Sequence, residues 1–261
     1  MLSNQIRKYT TGIILIVIVV LISVLLFFRK TQLNPVTGKK QHINLTHQQE
    51  IELGLECAPD MAARFGGLYS NTDIKNKVKV IGQKLVAVRQ VSKSPYQFDF
   101  HILADSQMVN TFSFPGGQIF ITRGLLKLLK TDDEIAIILS HEIGHVMGRH
   151  TTEKLSGFDI LEKFKDSTHV ITNYSPNQIN SYITDLLKIT FDSEEESEAD
   201  ELALKYMVEA GYNPKAFPEI LEKLSGKSEI PGAEDFLNRH PVPENRIENL
   251  KSTIIKYHKR K

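Results

Sequence analysis

The chain has 261 residues, which is enough for one large domain or two small ones with a buried core. Its 32 basic and 31 acidic side chains leave a formal net charge of +1, so the composition favours neither nucleic-acid binding nor disorder. The single cysteine, Cys57, excludes an intramolecular disulfide and a zinc site built from cysteines. These quantities predict a globular protein with no nucleic-acid partner.

An apolar stretch without charged residues runs from residue 12 to residue 28. Its length is at the short end of what crosses a bilayer core of about 30 Å. Arg29 and Lys30 follow it, and because no small-residue cleavage site does, we predict a retained anchor rather than a cleaved signal peptide. Residues 1–30 are therefore predicted to form a membrane anchor that contacts lipid through residues 12–28. Basic residues lie on both sides of the stretch, so charge alone leaves its orientation open.

The remainder of the chain contains no second apolar stretch of spanning length. Residues 31–45 are polar and include a proline and a glycine, which is typical of a linker. Residues 46–261 are therefore predicted to form one water-soluble domain.

Helices and a small sheet are predicted for this domain. Thr46 opens a capping box for a helix that ends near Phe65, and residues 73–90 carry apolar side chains at helical spacing. Alternating apolar side chains predict a strand at 98–104, and a second strand is predicted at 118–122. The expected fold is α+β, mainly helical, with a small antiparallel or mixed sheet. Further helices are predicted at 124–129, 193–210, 214–224 and 243–257.

Thr131 is predicted to cap the start of a helix with its hydroxyl group. Three acidic residues follow it, where they interact favourably with the positive end of the helix dipole. Residues 135–139 are apolar throughout, which indicates a buried helix. This helix is expected to continue through the residues that carry the chemistry.

His141, Glu142 and His145 form a His-Glu-x-x-His pattern on that helix. Four residues turn a helix through about 400°, so the two imidazoles lie on one face, one turn apart, where both can meet one metal ion. The pattern is the zinc-binding signature of many metallopeptidases, with the glutamate beside a metal-held water. Burying these groups costs several kcal/mol unless they find partners, and a metal would supply one.

Two histidines do not complete a zinc site, so a third protein ligand is required. His150 falls one residue short of the place that a third histidine takes in one large metallopeptidase class. A continued helix would also put it about 140° round from His145, so we interpret His150 as a helix C-terminal residue favoured by the dipole. His240 precedes a proline, which is typical of a loop, and it could reach the site through the fold.

The acidic run from Ser193 to Asp200 contains the favoured third ligand. Glu195 and Glu196 lie at the borders of the apolar face of this predicted helix. Only Glu196 has a carboxylate one turn further along the same edge, that of Asp200. A glutamate there can bind the metal while the aspartate accepts the free ring N–H of a ligating histidine. We predict Glu196 as the ligand, with Glu195 as the main rival, and Asp200 as the residue that orients a ligating histidine.

Together these stretches resemble the membrane-associated gluzincin zinc metallopeptidases that include the prenyl-protein (CAAX) proteases, HtpX and the BepA-like periplasmic proteases. The likeness extends, with gaps, from about residue 35 to residue 250. Because the chain has one predicted span, the BepA-like envelope members with a soluble domain are the closer model. The matching segments are Pro35–Gln41, Asn110–Gly117 with Ile119–Leu126, His141–His145, Glu196–Asp200, His240–Pro241 and Arg246–Ile247.

The resemblance implies a zincin-like domain over residues 46–261, with the sheet beside the active-site helix and one Zn²⁺ per chain. His141, His145 and Glu196 would bind the zinc, and Glu142 would be the catalytic base. His240 is a further catalytic candidate, either as donor to the developing oxyanion or as occupant of the open position of the zinc.

The resemblance also implies protein or peptide substrates, misfolded envelope proteins among them, and a role in membrane protein quality control. The implied location is the bacterial inner membrane, with the catalytic domain on the periplasmic side. Family members often have Ser-Arg where this chain has Asp192 and Ser193, a departure that does not touch the catalytic groups. The alternative from another class is a membrane-tethered, zinc-containing chaperone or adaptor with little proteolytic activity.

Overall fold

The computed structural model describes residues 12–24, 31–43, 45–156, 175–225 and 230–258. Two compact units are present, Met1–Asn44 and Leu45–Lys261. The first contains a helix over residues 12–24 (α1) and an antiparallel hairpin of β1 (Thr31–Leu33) and β2 (Lys40–His42). The hairpin lies in the stretch predicted as a linker. The side-chain oxygen of Asn34 accepts hydrogen bonds from the next turn's backbone, which explains how a polar stretch reverses direction here.

The predicted anchor extends beyond the described residues, because 25–28 lie outside them, as does the end of the chain at 259–261. Residues 12–24 are helical and exposed along their whole length. Within the described parts of the chain, no helix combines the length and the hydropathy needed to cross a bilayer.

The second unit is mainly helical with a small sheet, as predicted. Its sheet has the order β3-β5-β4, with β3 parallel and β4 antiparallel to the central strand, so it is mixed. Its elements are α2 (His47–Arg64), α3 (Thr72–Val86), α4 (Arg89–Ser92), β3 (Asp99–Leu103), β4 (Thr111–Ser113), β5 (Gln118–Thr122), α5 (Arg123–Leu126), α6 (Asp132–Gly148), α7 (His150–Ser156), α8 (Pro176–Leu187), α9 (Ser193–Glu209), α10 (Phe217–Leu224), α11 (Ala233–Arg239) and α12 (Glu244–His258).

Capping residues set the helix starts that the sequence predicted. The hydroxyl oxygens of Thr46 and Thr131 each accept a hydrogen bond from the backbone N–H of the third residue of the following helix. The side chain of that third residue accepts a hydrogen bond from the backbone N–H of the capping threonine. The helix predicted over 73–90 is interrupted, because Val88 has an extended backbone (φ −62°, ψ 144°) that separates α3 from α4. The helix α11 was not predicted.

The interpretation of His150 as the last residue of a helix is wrong. The helix α6 ends at Gly148, and Arg149 takes a left-handed conformation (φ 58°), so that His150 begins α7. A buried ion pair holds this conformation, because Arg149 Nε lies 3.1 Å from Glu50 Oε1. The Arg149 guanidinium also donates to the Leu45 carbonyl at 3.0 Å. The contacts with Glu50 and Leu45 thus offset the strain that a non-glycine residue has at positive φ.

The core of this unit lies around α6, whose residues from Ile135 to Gly148 are all buried. The helix packs on α9 on one side and on β4 and β5 of the sheet on another. At Gly144 the two helices approach so closely that a Cβ atom would lie 2.7 Å from the Ala199 carbonyl oxygen. Glycine is therefore required inside the His-Glu-x-x-His segment for packing, not for catalysis.

We expect the substitution Gly144→Ala to destabilise the protein by about 1–3 kcal/mol, because the added methyl group forces α9 away from α6. The free energy of unfolding from urea denaturation measures this loss. Ser197→Ala, at an exposed position of α9, is the control and should change stability by less than about 0.5 kcal/mol. Equal stability of the two variants would contradict close packing at Gly144.

Candidate metal centre

Four buried side chains from three parts of the fold meet at one point. Two come from successive turns of α6: His141 Nε2 and His145 Nε2 lie 3.0 Å apart. From α9, Glu196 Oε1 lies 3.2 Å from His145 Nε2. His240 follows α11 and places its Nδ1 atom 2.9 Å from Glu196 Oε1 and 3.3 Å from His141 Nε2. The structure therefore brings together His141, His145, Glu196 and His240.

The atoms that face each other in this group are electron-pair donors. His141 Nδ1 lies 2.9 Å from the Asp200 carboxylate, which accepts only, so the ring proton belongs on Nδ1 and Nε2 keeps its lone pair. Two ring nitrogens 3.0 Å apart repel each other unless a proton or a metal ion lies between them. Ligands 2.0–2.1 Å from a tetrahedral zinc ion are about 3.3 Å apart, close to the separations found here. The donor set therefore fits a metal ion.

Glu196 is held ionised, and the carboxylates near His141 favour a positive charge there. Burial alone would raise the pKa of Glu196, but Arg246, His240 and His141 outweigh it and hold that pKa well below the usual range. Burial lowers the pKa of His141, whereas Glu196 and Asp200 outweigh it, so the net shift is upward. The same carboxylates that would attract a proton to His141 would attract a metal ion in its place.

Asp200 is held by an arginine from the C-terminal helix. Arg246 donates from Nε and Nη2 to the two oxygens of Asp200, both at 2.8 Å, and its Nη1 atom contacts Glu196 Oε2. Burial would raise the pKa of Asp200, but Arg246 and His141 outweigh that effect and lower it. One guanidinium therefore orients both carboxylates of α9, Asp200 by a bidentate contact. Its role has no signature in the sequence beyond the segment that carries the resemblance.

Glu142 lies beside this group and is fully buried. Among the residues that the structure describes, neither of its carboxylate oxygens has a hydrogen-bond partner, and Oε1 lies 3.5 Å from His240 Nε2. An unpaired buried carboxylate is costly, so one that persists calls for a functional reason. Its position next to the four converging side chains would allow it to bind a water molecule or a substrate.

The structure separates the two glutamates that the sequence left in competition. Glu195 belongs to the start of α9, where its Oε2 atom accepts from the backbone N–H of Asp192 at 2.8 Å and pairs with Lys154 at 2.9 Å. It is not among the converging residues, whereas Glu196 is. The helix phase explains this result, because adjacent residues point about 100° apart.

The sequence patterns did not identify Phe191, which contacts the centre, or Arg239, which contacts Phe191. The Phe191 ring stacks on His145 with centroids 3.8 Å apart. The Arg239 guanidinium lies between Phe191 and Phe112, 5.2 and 5.1 Å from their ring centres, and donates to the Leu186 carbonyl at 2.9 Å. Burial lowers the pKa of Arg239 to about 10, although Glu142 and Glu196 oppose the shift. Both contacts join residues far apart in sequence, so no local pattern indicates them.

A helix-borne His-Glu-x-x-His pair beside a buried glutamate is the side-chain arrangement typical of the metallopeptidase class. The chain belongs to peptidase family M48, whose model matches residues 73–254.

The relatives carry names that agree with this family. The chain is 32% identical over 153 residues to "Mitochondrial metalloendopeptidase OMA1" of Arabidopsis thaliana, a match that covers 57% of this chain and 30% of the relative. It is 25% identical over 229 residues to "Beta-barrel assembly-enhancing protease" of Yersinia pestis, which covers 84% of this chain and 46% of the relative. The matches thus span less than half the length of either relative. They confirm the resemblance, and the first relative carries the name of the predicted class of enzyme, a metalloendopeptidase.

We expect Arg246→Met to cost about 3–5 kcal/mol of stability in the metal-free protein, because it leaves two buried carboxylates without their cation. Arg246→Lys keeps the charge but cannot form the bidentate contact, so its loss should be smaller but measurable. Urea denaturation gives both values. Lys251→Met on the same helix is the control, since its exposed pair with Glu222 contributes at most about 1 kcal/mol. A loss for Arg246→Met no larger than the control's would show that the buried network does not stabilise the fold.

Proposed function

We propose that this chain is a membrane-anchored zinc endopeptidase with a zincin-like catalytic domain. The observation that carries the proposal is the unpaired, buried carboxylate of Glu142 beside the converging His141, His145 and Glu196. A metal-binding group by itself is compatible with a structural role. A free general base next to that group has no structural use, and it is what hydrolysis of a peptide bond requires.

His141, His145 and Glu196 would hold the zinc ion. When bound, zinc polarises the scissile carbonyl and lowers the pKa of water from roughly 9 for the aqueous ion toward about 7. Glu142 accepts a proton from the attacking water and donates it to the leaving amine, a role worth typically about 10²–10⁴-fold in rate. Asp200 and Arg246 position the ligands and take no part in proton transfer.

His240 is proposed as a second catalytic residue. Its Nδ1 atom lies 2.9 Å from Glu196 Oε1, and its Nε2 atom lies 3.5 Å from Glu142 Oε1. With a metal ion bound, His240 would be a fourth residue able to hold it in a resting state. After a small displacement it can instead donate a hydrogen bond to the developing oxyanion of the substrate.

An extended peptide is the proposed substrate, because peptide bonds are hydrolysed most readily in an extended chain that a cleft can bind. One relative is named for assembly of β-barrel proteins, which supports envelope proteins, misfolded ones among them, as the substrate class and quality control as the role.

The proposed domain organisation is an anchor at residues 1–30, a connecting segment at 31–45 and the catalytic domain at 46–261. The uncharged stretch over residues 12–28 supports a single span. The bacterial inner membrane, with the catalytic domain on the periplasmic side, is proposed from the resemblance.

The substitution Glu142→Gln should retain zinc and lower the rate of casein cleavage by about 10²–10⁴-fold, because the amide cannot accept the proton of the attacking water. Rate and zinc content are measured on the same preparation of the full chain. Glu195→Gln, outside the metal centre, serves as the control for a change of charge. Full cleavage by the Glu142→Gln protein would exclude the mechanism, and a zinc-loaded wild type without cleavage would favour a chaperone or adaptor.

The ligand assignment predicts different zinc contents for two adjacent alanine variants. Glu196→Ala should lower the zinc content after dialysis, since one of three protein ligands is lost. Glu195→Ala should keep it, since that carboxylate lies in the N-terminal capping box of α9. Atomic absorption measures both values. Zinc retained by the first variant and lost by the second would reverse the assignment.

A further inference from the structure

We propose that His150 and Glu198 form a hydrogen-bonded relay that fixes the ring of His145 for metal binding. This inference rests on the proposed function, because it assigns positioning residues to the same metal centre. The relay connects the ring of His145, through the imidazole of His150, to the carboxylate of Glu198.

The relay consists of two contacts in series. His145 Nδ1 lies 3.0 Å from His150 Nδ1, and His150 Nε2 lies 3.1 Å from Glu198 Oε1. The first contact is fully buried, and the Glu198 side chain is 12% exposed. Both distances are within the range of ordinary hydrogen bonds. Glu198 lies on α9, two residues after the proposed ligand Glu196.

The backbone at the end of α6 makes this contact possible. Because Arg149 takes a left-handed conformation, the chain turns back and places the His150 ring over Gly148. A Cβ atom at Gly148 would lie 2.4 Å from His150 Nε2, so no larger residue leaves the ring in place. A continuous helix would instead carry His150 away from His145. The break between α6 and α7 therefore has a use at the metal centre.

The carboxylate determines the direction of every proton in the series. An ionised Glu198 can only accept, so the proton of His150 is on Nε2 and its Nδ1 atom is an acceptor. His145 must then carry its proton on Nδ1 in order to donate to His150. Its Nε2 atom is left with a lone pair that faces His141 and Glu196, as a metal ligand requires.

The other ligating histidine is oriented differently, which gives the proposal an internal comparison. His141 meets the Asp200 carboxylate directly, and Arg246 holds that carboxylate. His145 is separated from its carboxylate by the imidazole of His150. Loss of His150 should therefore affect His145 and leave the ring of His141 unchanged.

Two replacements of His150 separate positioning from packing. The side-chain amide of the H150N variant would keep an acceptor near the place of Nδ1, whereas H150L has similar bulk and no acceptor. We expect H150L to weaken binding of Zn²⁺ by about 10–100-fold and H150N to weaken it clearly less. Competition of the full-length chain with a chromophoric chelator measures both. E198Q should lie between wild type and H150L, and E201Q, at an exposed site on the same helix, should match wild type.

Long-range ¹H–¹⁵N spectra of the metal-free, histidine-labelled chain read the tautomer directly, with His145 assigned by H145Q. We expect wild type and H150N to carry the proton of His145 on Nδ1, and H150L to lose that preference. An unchanged tautomer and unchanged zinc affinity in H150L would overturn the relay. A fixed tautomer in a wild-type chain that binds zinc but cleaves no peptide would support the relay while the proposed function fails.

Discussion

The close approach of α6 and α9 is the constraint on which the metal centre depends. At Gly144 the backbone of α9 occupies the space that a side chain would need. Two histidines one turn apart on one helix therefore face two carboxylates one turn apart on the other. The register between the helices places His141 against Asp200 and His145 against Glu196, at 2.9 and 3.2 Å. A residue with a β-carbon at position 144 would widen all of these distances together.

Charge is the second constraint, and it links the centre to the end of the chain. The carboxylates of Glu142, Glu196 and Asp200 are all buried. Burial of a carboxylate costs several kcal/mol unless a positive charge or hydrogen-bond donors compensate it. Arg246 pairs with the two on α9, whose combined charge it halves, but does not pair with Glu142. Because this arginine is on α12, the centre is complete only when the last helix has docked. A metal ion would supply the remaining positive charge, so metal binding and folding are expected to be coupled.

The sequence predicted those parts of the site that depend on local geometry. Helix capping identified the starts of α2 and α6, and helix phase favoured Glu196 over Glu195, the choice that matches the residues that converge. A small antiparallel or mixed sheet was predicted, and the strand predicted at 118–122 is the observed β5. The predictions were least accurate where a contact between distant segments determines the backbone. Arg149 is an example, since its left-handed conformation is held by Glu50, ninety-nine positions away.

That same residue explains why His150 was misread. If α6 continued past Gly148, the His150 ring would point away from His145. The left-handed conformation of Arg149 instead brings the His150 ring into contact with His145. The reversal depends on the buried pair with Glu50, whose other oxygen accepts from Tyr96 at 2.9 Å. The α2 helix thus contributes to the metal centre without touching it: Glu50 holds Arg149, Arg149 turns the chain, and the turn places His150 behind His145. Residues that touch no ligand therefore determine which nitrogen of His145 faces the metal position.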